Sequence, residues 1–324
     1  PGSTIKTLTA LSALENDILN PNLRVECKGY IDFYGEKFHC WKKEGHGILN
    51  LRGAIKRSCD IYFYEVARKL GVDRLASTAK KFGLGQKVLT NFNEEKAGVV
   101  PNTTWKLNQI GKNWYLGETL HAGIGQGYFL STPLQLCLMT AQLANGGFKI
   151  KPRMVVDKKD NTNNLQKYLD YRKNNPDDPS SIDLQVFNFD LQPLFRNQEN
   201  INFVKDAMFA ATNEAGGTSY GSRHRDKKFM FAGKTGSSQI KRFTEAQREA
   251  EVKQKDITYK ERDHAWFVAF APVKDPKYAI SVLVEHGGSG SSAAAPVAKK
   301  VIKKIIERHQ KRIAIVDNKL GKNI

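Results

Sequence analysis

The sequence predicts an α/β protein of the α+β kind, with an antiparallel sheet covered by helices beside a mostly helical lobe. Apolar residues at helical spacing dominate the first two thirds of the chain. Three β-rich runs crowd into the last third, and a basic amphipathic helix follows them. Helices first and last, with strands late and close together, predict a sheet that the two terminal helices cover.

Ser3 to about Glu15 reads as a helix, with Ile5, Leu8, Leu11 and Leu14 on one stripe and Pro-Gly just before it. Asn20 to Asn50 is rich in Gly, Cys, His and aromatics and reads as irregular. Leu51 to Leu70 is a helix ended by Gly71, and Asp73 to Phe82 a short one ended by Gly83. Pro133 to Asn145 is an apolar helix with Pro in its first turn and Gly146-Gly147 after it. Asp157 to Asn200 is polar and full of turn signals, so it reads as surface loops and insertion. Asn202 to Ala215 is helical. Lys228 to Ile240, Ala265 to Pro272 and Tyr278 to His286 are strands, and Ala293 to Gln310 is the closing helix. Lys241 to Asp263 mixes both charge signs with almost no apolar period and reads as an exposed excursion. No internal repeat is present.

The 324 residues suffice for a real core, and 40% hydrophobic with 26% charged residues excludes a disordered chain. The formal charge of +18 favours anionic surfaces. No zinc finger, aromatic RNA-binding signature or basic recognition helix accompanies it, so nucleic acid is not expected as a partner, and the lysines read as solvated faces. No run reaches the roughly 20 apolar residues of a bilayer span. The chain begins at Pro1, directly on its first motif, and reads as a fragment whose anchor would lie upstream.

Three short motifs carry chemistry. Ser3-Thr4-Ile5-Lys6 is S-x-x-K, Ser58-Cys59-Asp60 is S-x-D, and Lys234-Thr235-Gly236 continues the apolar strand Phe229–Gly233. A serine hydroxyl is a weak nucleophile until a base takes its proton. On a helix Ser3 and Lys6 share a face one turn apart, and burial beside positive neighbours fits a lysine to act as that base. At a helix start, free N–H groups favour a developing oxyanion at Ser3. Lys234 and the Thr235 hydroxyl can bind a substrate carboxylate, Gly236 admits a ligand backbone to the strand edge, and an extended peptide can add to that edge. The Ser58 hydroxyl can relay a proton from Lys6 to a leaving amine, and Asp60 offers polar contacts. Taken singly, each motif is a common accident: Ser3 can be a helix cap and Lys234 a strand-edge lysine. The ordered trio is the set found in penicillin-binding proteins and serine β-lactamases.

Cys27, Cys40, His46 and Cys59 are spaced C-x12-C-x5-H-x12-C. Cys₃His is an ordinary structural zinc set, although this is not a finger spacing. Buried thiols or a disulfide are the other readings, and a disulfide would leave one of the three cysteines unpaired. His39 is a second candidate for the imidazole. Cys137, in an apolar helix, reads as core. His264 and His286 fall in the strands and read as structural. The GIGQG run at 123–127 has the wrong spacing for a dinucleotide loop.

The chain resembles the transpeptidase domain of class B penicillin-binding proteins, within them the penicillin-binding protein 2 group of Gram-negative bacteria. The resemblance runs almost end to end. Its carriers are PGSTIKTLTALSALE, GHGILNL, GIGQGYFLSTPLQL, AGKTGSSQ, HAWFVAFAPVKDPKYAISVLVEHGG and AAAPVA. The HAWFVAFAP and VEHGG wording favours the elongation branch over division-specific relatives. The resemblance implies one transpeptidase domain over 1–324, with a penicillin-binding/serine β-lactamase-like fold. Its helical lobe would lie mainly in 17–225, and its sheet subdomain in 226–324, packed with an N-terminal helix over 3–16.

It also implies that Ser3 forms the acyl-enzyme with Lys6 as general base, and that Ser58 with Asp60 and Lys234 with Thr235 and Gly236 complete the site. The amides of Ser3 and Ser237 would form the oxyanion hole, and Asp60, Lys234, Thr235 and Ser237 would bind substrate. Asp60 replaces the Asn usual in the family, although the elongation branch often carries Asp. The group also resembles this chain in its Cys/His set, with Asp often replacing a Cys, which implies a structural zinc held by Cys27, Cys40, His46 and Cys59. No cofactor is implied for the chemistry. Further implications are peptidoglycan stem peptides as substrate, acylation by β-lactams, a periplasmic domain on an inner-membrane anchor, and work beside a SEDS-family glycosyltransferase and MreC. A β-lactamase, a D,D-carboxypeptidase or an idle β-lactam sensor or scaffold would carry the same motifs.

Overall fold

The computed structural model describes residues 1–89, 92–154, 190–241, 247 and 254–320. A 3₁₀ turn at Gly2–Ile5 leads into α1 (Lys6–Glu15). Four short strands follow: β1 (Val25–Cys27) pairs with β4 (Gly47–Leu49), and β2 (Tyr30–Phe33) with β3 (Glu36–His39), both antiparallel. The segment expected to be irregular thus folds as two ribbons. Its strands are three or four residues long and alternate weakly, which is too short for a period-2 signal.

The helix expected over Leu51 to Leu70 is two helices, α2 (Leu51–Arg57) and α3 (Asp60–Leu70). Ser58 divides them in a left-handed conformation, φ 54° and ψ 43°. The apolar period runs on through the break, so periodicity alone joins what the backbone separates. Asn50 caps α2 by accepting from the Gly53 N–H. α4 (Val72–Lys81), α5 (Thr103–Ile110) and α6 (Leu116–Gly123) follow. The last two, not foreseen, are eight residues each: α5 is mostly exposed, while α6 buries Thr119, Leu120, Ala122 and Gly123. α7 (Pro133–Ala144) starts as expected, with Pro at its first turn and a capping box between Thr132 and Gln135.

β5 (Phe148–Lys149) pairs with β6 (Asp190–Pro193), so part of the expected loop region is strand; its residues 157–189 lie outside the described residues. α8 spans Gln198–Asn213. The main sheet is β7 (Ala232–Ser238), β8 (His264–Ala271) and β9 (Tyr278–Val284), antiparallel in that order. Of the expected excursion, residues 242–246 and 248–253 lie outside the described residues, and 254–256 and 259–261 are single 3₁₀ turns. A π-helical turn at Gly290–Ala294 opens onto α9 (Ala295–Leu320).

β8 reads as a continuous apolar run because both of its faces are covered. Trp266, Val268 and Phe270 point into the helical core, while Ala265, Phe267, Ala269 and Ala271 point into a second core with Phe231 and with Ala298, Ile302 and Ile306 of α9. The C-terminal helix covers one face, as expected. The other face differs from expectation: α7 lies on β8 and β9, and α8 lies on β7. α1 packs chiefly on α3, α4 and α8, so the N-terminal segment meets the sheet mainly through its 3₁₀ turn, which lies against β7. That turn therefore sits at the seam between the helices and the sheet edge. No described helix is long and apolar enough to cross a membrane.

Candidate active site

The 3₁₀ turn that carries Ser3 is held from both sides. Gly2 has φ 56°, and its N–H donates to the Gly125 carbonyl at 2.9 Å. A β-carbon on Gly2 would stand 2.4 Å from the Ser237 carbonyl oxygen, so only glycine fits. Ser3 is half-buried, and its hydroxyl makes no hydrogen bond among the described residues. It precedes the α-helical cap, which is Ile5, so the capping explanation for Ser3 is not what the backbone uses. Lys6 begins α1 one turn later and is fully buried.

Lys6 Nζ donates to the Asp60 carboxylate at 2.6 Å, to the Ser58 carbonyl at 2.8 Å and to Ser58 Oγ at 3.3 Å. Asp60 opens α3, where the positive helix end favours a carboxylate. Its other oxygen accepts from the Trp41 backbone N–H at 2.9 Å. Burial pushes the Asp60 carboxyl above its ordinary range, and the Lys6 charge beside it pulls the other way. Lys234 reaches the same hydroxyl from β7, donating to Ser58 Oγ at 2.8 Å and to the Thr235 carbonyl at 3.0 Å. Burial holds the Lys234 amine well below its ordinary value, helped by the positive charge of Lys6 and opposed by Asp60. Three elements distant in sequence thus converge on one serine hydroxyl.

Beyond β7 lies the 3₁₀ turn. Gly236 pairs with Trp266, and a β-carbon there would stand 2.9 Å from the Pro1 carbonyl oxygen and from Thr4 Cγ2. The Ser237 carbonyl accepts from Gln126 Nε2 at 3.0 Å, so it points away from β8, and the N–H of the same residue shares that edge. The amides of Ser3 and Ser237 therefore belong to neighbouring stretches of backbone. The GIGQG run serves this edge: Gly125 anchors Gly2 and Gln126 anchors Ser237.

Three residues of this region escaped the sequence reading. Thr218, after α8, accepts a 3.0 Å hydrogen bond from the Thr235 hydroxyl. Gln126 and Trp41 are the others. None stands at a fixed spacing from a motif, although Gln126 lies inside one of the runs that carry the resemblance.

The four residues of the cysteine–histidine set come together in the fold. One ligand atom from each of Cys27, Cys40, His46 and Cys59 lies within 4.8 Å of the others, and all four residues are buried. His46, not His39, supplies the imidazole. Its Nδ1 stands 3.6 Å from Cys27 Sγ and 3.5 Å from Cys40 Sγ. A tetrahedral zinc with ordinary Zn–S and Zn–N bonds has an S···N edge of about 3.5 Å. His46 Nε2 is buried without a partner among the described residues. The Cys40 thiol is lowered to about 2, first by the hydrogen bond from Cys59. Cys59 is pushed up by that same bond, and Cys27 by burial. The residues fit a structural zinc. Cys137 lies apart, its Sγ 3.5 Å from the Ala279 carbonyl oxygen on β9.

Comparison with known proteins places this geometry. Residues 1–303 match the family described as penicillin binding protein transpeptidase domain. The peptidoglycan D,D-transpeptidase MrdA of Salmonella typhimurium is 34% identical over 304 residues, covering 93% of this chain and 45% of that protein. MrdA of Haemophilus influenzae is 34% identical over 307 residues, 93% of this chain and 43% of that protein. A crystal structure of Pseudomonas aeruginosa PBP2 in complex with WCK 5153 superposes with TM-score 0.73 at 35% identity, over 94% of this chain and 60% of that one. PBP2 of Helicobacter pylori, in a complex with MreC, superposes with TM-score 0.76 at 31% identity, over 95% of this chain and 49% of that one. The chain spans about half the length of the curated relatives it matches.

Proposed function

Because the chain belongs to the penicillin-binding protein transpeptidase domain family, we propose that it is the catalytic part of a peptidoglycan D,D-transpeptidase of the elongation type. One observation carries the reading: Lys6, Ser58, Asp60 and Lys234, all buried and drawn from three elements, meet within hydrogen-bonding distance one turn from Ser3.

Ser3 Oγ attacks the carbonyl carbon between the two terminal D-Ala residues of a stem peptide, and Lys6, entering the step as the neutral amine, takes its proton and becomes the ammonium. The amides of Ser3 and Ser237 stabilise the tetrahedral oxyanion. The proton passes through the Ser58 hydroxyl, which Lys6 and Lys234 share, to the departing nitrogen. The C–N bond breaks, D-Ala leaves as an amine, and the peptide remains as an ester on Ser3. An amine from a neighbouring stem peptide then attacks the ester carbon, its proton returns by the same relay, and Ser3 is released as the new amide forms. Lys234, Thr235 and Ser237 hold the substrate's terminal carboxylate, and an anion there restores the proton that burial disfavours on Lys234. Asp60 compensates the charge of Lys6 and is a polar contact for substrate. A β-lactam acylates Ser3 as a mimic of the same peptide. No cofactor enters these steps.

Cys27, Cys40, His46 and Cys59 would hold a zinc ion that fixes the loop before α3 against the ribbons, because Cys59 lies between Ser58 and Asp60. The chain reads as one domain, its helical part mainly 17–225 and its sheet part 226–324. The MreC complex of the Helicobacter relative supports MreC as a partner. A SEDS-family glycosyltransferase beside it, and a periplasmic site on an inner-membrane protein, rest on the resemblance alone.

The test is the full-length protein with a stem peptide ending in D-Ala-D-Ala and an amine acceptor, read by mass spectrometry. Release of D-Ala with a cross-linked dimer, both lost in Ser3→Ala, is the expected result. Release without dimer would indicate a hydrolase, and neither product would indicate an idle β-lactam binder.

A further inference from the structure

Trp41 is a large aromatic side chain left 61% exposed, yet its polar atoms are spent on the second motif. Its indole N–H stands 3.0 Å from the Ser58 carbonyl oxygen and 3.1 Å from that of Arg57. Its backbone N–H donates to Asp60 at 2.9 Å. Its ring meets His46 edge to face, with centroids 5.3 Å apart. One residue, next in sequence to Cys40, therefore grips both sides of Ser58.

The grip has a physical purpose. Ser58 is a non-glycine residue with φ 54°, a left-handed conformation that L-residues rarely adopt. The Arg57 and Ser58 carbonyls lie at the end of α2, where helix carbonyls lack an intrahelical donor. The Ser58 carbonyl accepts from two groups, Lys6 Nζ at 2.8 Å and the Trp41 indole. Lys6 is the reacting lysine and must be free to change its protonation, so it is a poor permanent tether. The indole donor does not titrate and can hold the peptide group throughout.

We propose that Trp41 is a positioning residue for the acyl-serine chemistry. Its N–H keeps Ser58 in the left-handed conformation that sets the hydroxyl between Lys6 and Lys234, and its ring packs the Cys/His cluster against the same loop. The inference rests on the acyl-serine reading above.

The experiment measures β-lactam acylation of the full-length protein by stopped flow, separating the limiting acylation rate from the dissociation constant of the initial non-covalent complex. Trp41→Phe keeps a ring against His46 and removes the donor. A second variant places benzothienylalanine at position 41, exchanging the N–H for sulfur at nearly constant shape, so that packing loss cannot account for the result. Both variants are expected to lower the limiting rate about tenfold, the scale of one hydrogen bond. The dissociation constant should change less than about twofold, with metal content unaltered. A limiting rate equal to that of the unaltered protein in both variants would overturn the proposal. So would a loss confined to the dissociation constant, which would make Trp41 a wall of the binding cleft. If the unaltered protein is not acylated at all, the acyl-serine reading fails and this inference fails with it.

Discussion

Lys6 and Lys234 approach the Ser58 hydroxyl at 3.3 and 2.8 Å, and Asp60 lies 2.6 Å from Lys6, while burial disfavours the charged form of Lys234. The identities of these residues were legible from three motifs in order. Ser58's left-handed backbone was not, because the side chain gives no sign of it and the apolar stripe continues past it. The same limit hid Trp41 and Thr218, whose roles depend on contacts made across the fold. Another carboxyl, the half-buried Asp263, sits just before β8. Burial raises it from 3.8 to about 6, against the Ile240 N–H that donates to it at 3.2 Å. Between those values the folded chain binds a proton that the unfolded chain has lost, so this group's contribution to stability falls as pH rises through the window. Asp263→Asn keeps the acceptor oxygen. It is expected to raise the melting temperature above about pH 6, with the gain vanishing below about pH 4. Melting curves showing the same difference at both ends would contradict this.

At the scale of elements, the strong patterns were the readable ones. α7 announces itself by Pro133 and its Gly-Gly stop, β8 by seven consecutive apolar positions after His264, and α8 by its stripe. The ribbons of 25–49 and the helices α5 and α6 went unread because three to eight residues hold too few repeats of any period. The covering of the sheet was also misjudged. Which helices lie on a sheet depends on chain crossings that local pattern does not encode, and here α7 and α8 cover the face expected for α1. What α1 contributes is its entry turn, wedged between β7 and the GIGQG loop. Gly2→Ala tests that wedge: the left-handed backbone alone costs roughly 1–2 kcal/mol, and the new methyl must also displace the Ser237 carbonyl. Urea denaturation should show a loss of at least that size, together with slower acylation. An unchanged midpoint would mean that the turn is free to move.

The whole molecule is two cores separated by one sheet, with Ser3, Lys6, Ser58 and Lys234 at the seam between the helical core and the edge of β7. The Cys/His cluster braces that seam through Cys59. Purified protein is expected to carry about one zinc per chain, and its removal by a chelator should lower the melting temperature by roughly 5 °C or more. Metal-free protein with unchanged melting would remove zinc from the account. The central claim is that Ser3, served by Lys6 and Ser58, is an acylating nucleophile. Its most direct test is intact protein mass followed over time after a β-lactam is added. The account predicts a single adduct that persists for hours and is absent in Ser3→Ala. No adduct on folded protein, or one that still forms in Ser3→Ala, would contradict it.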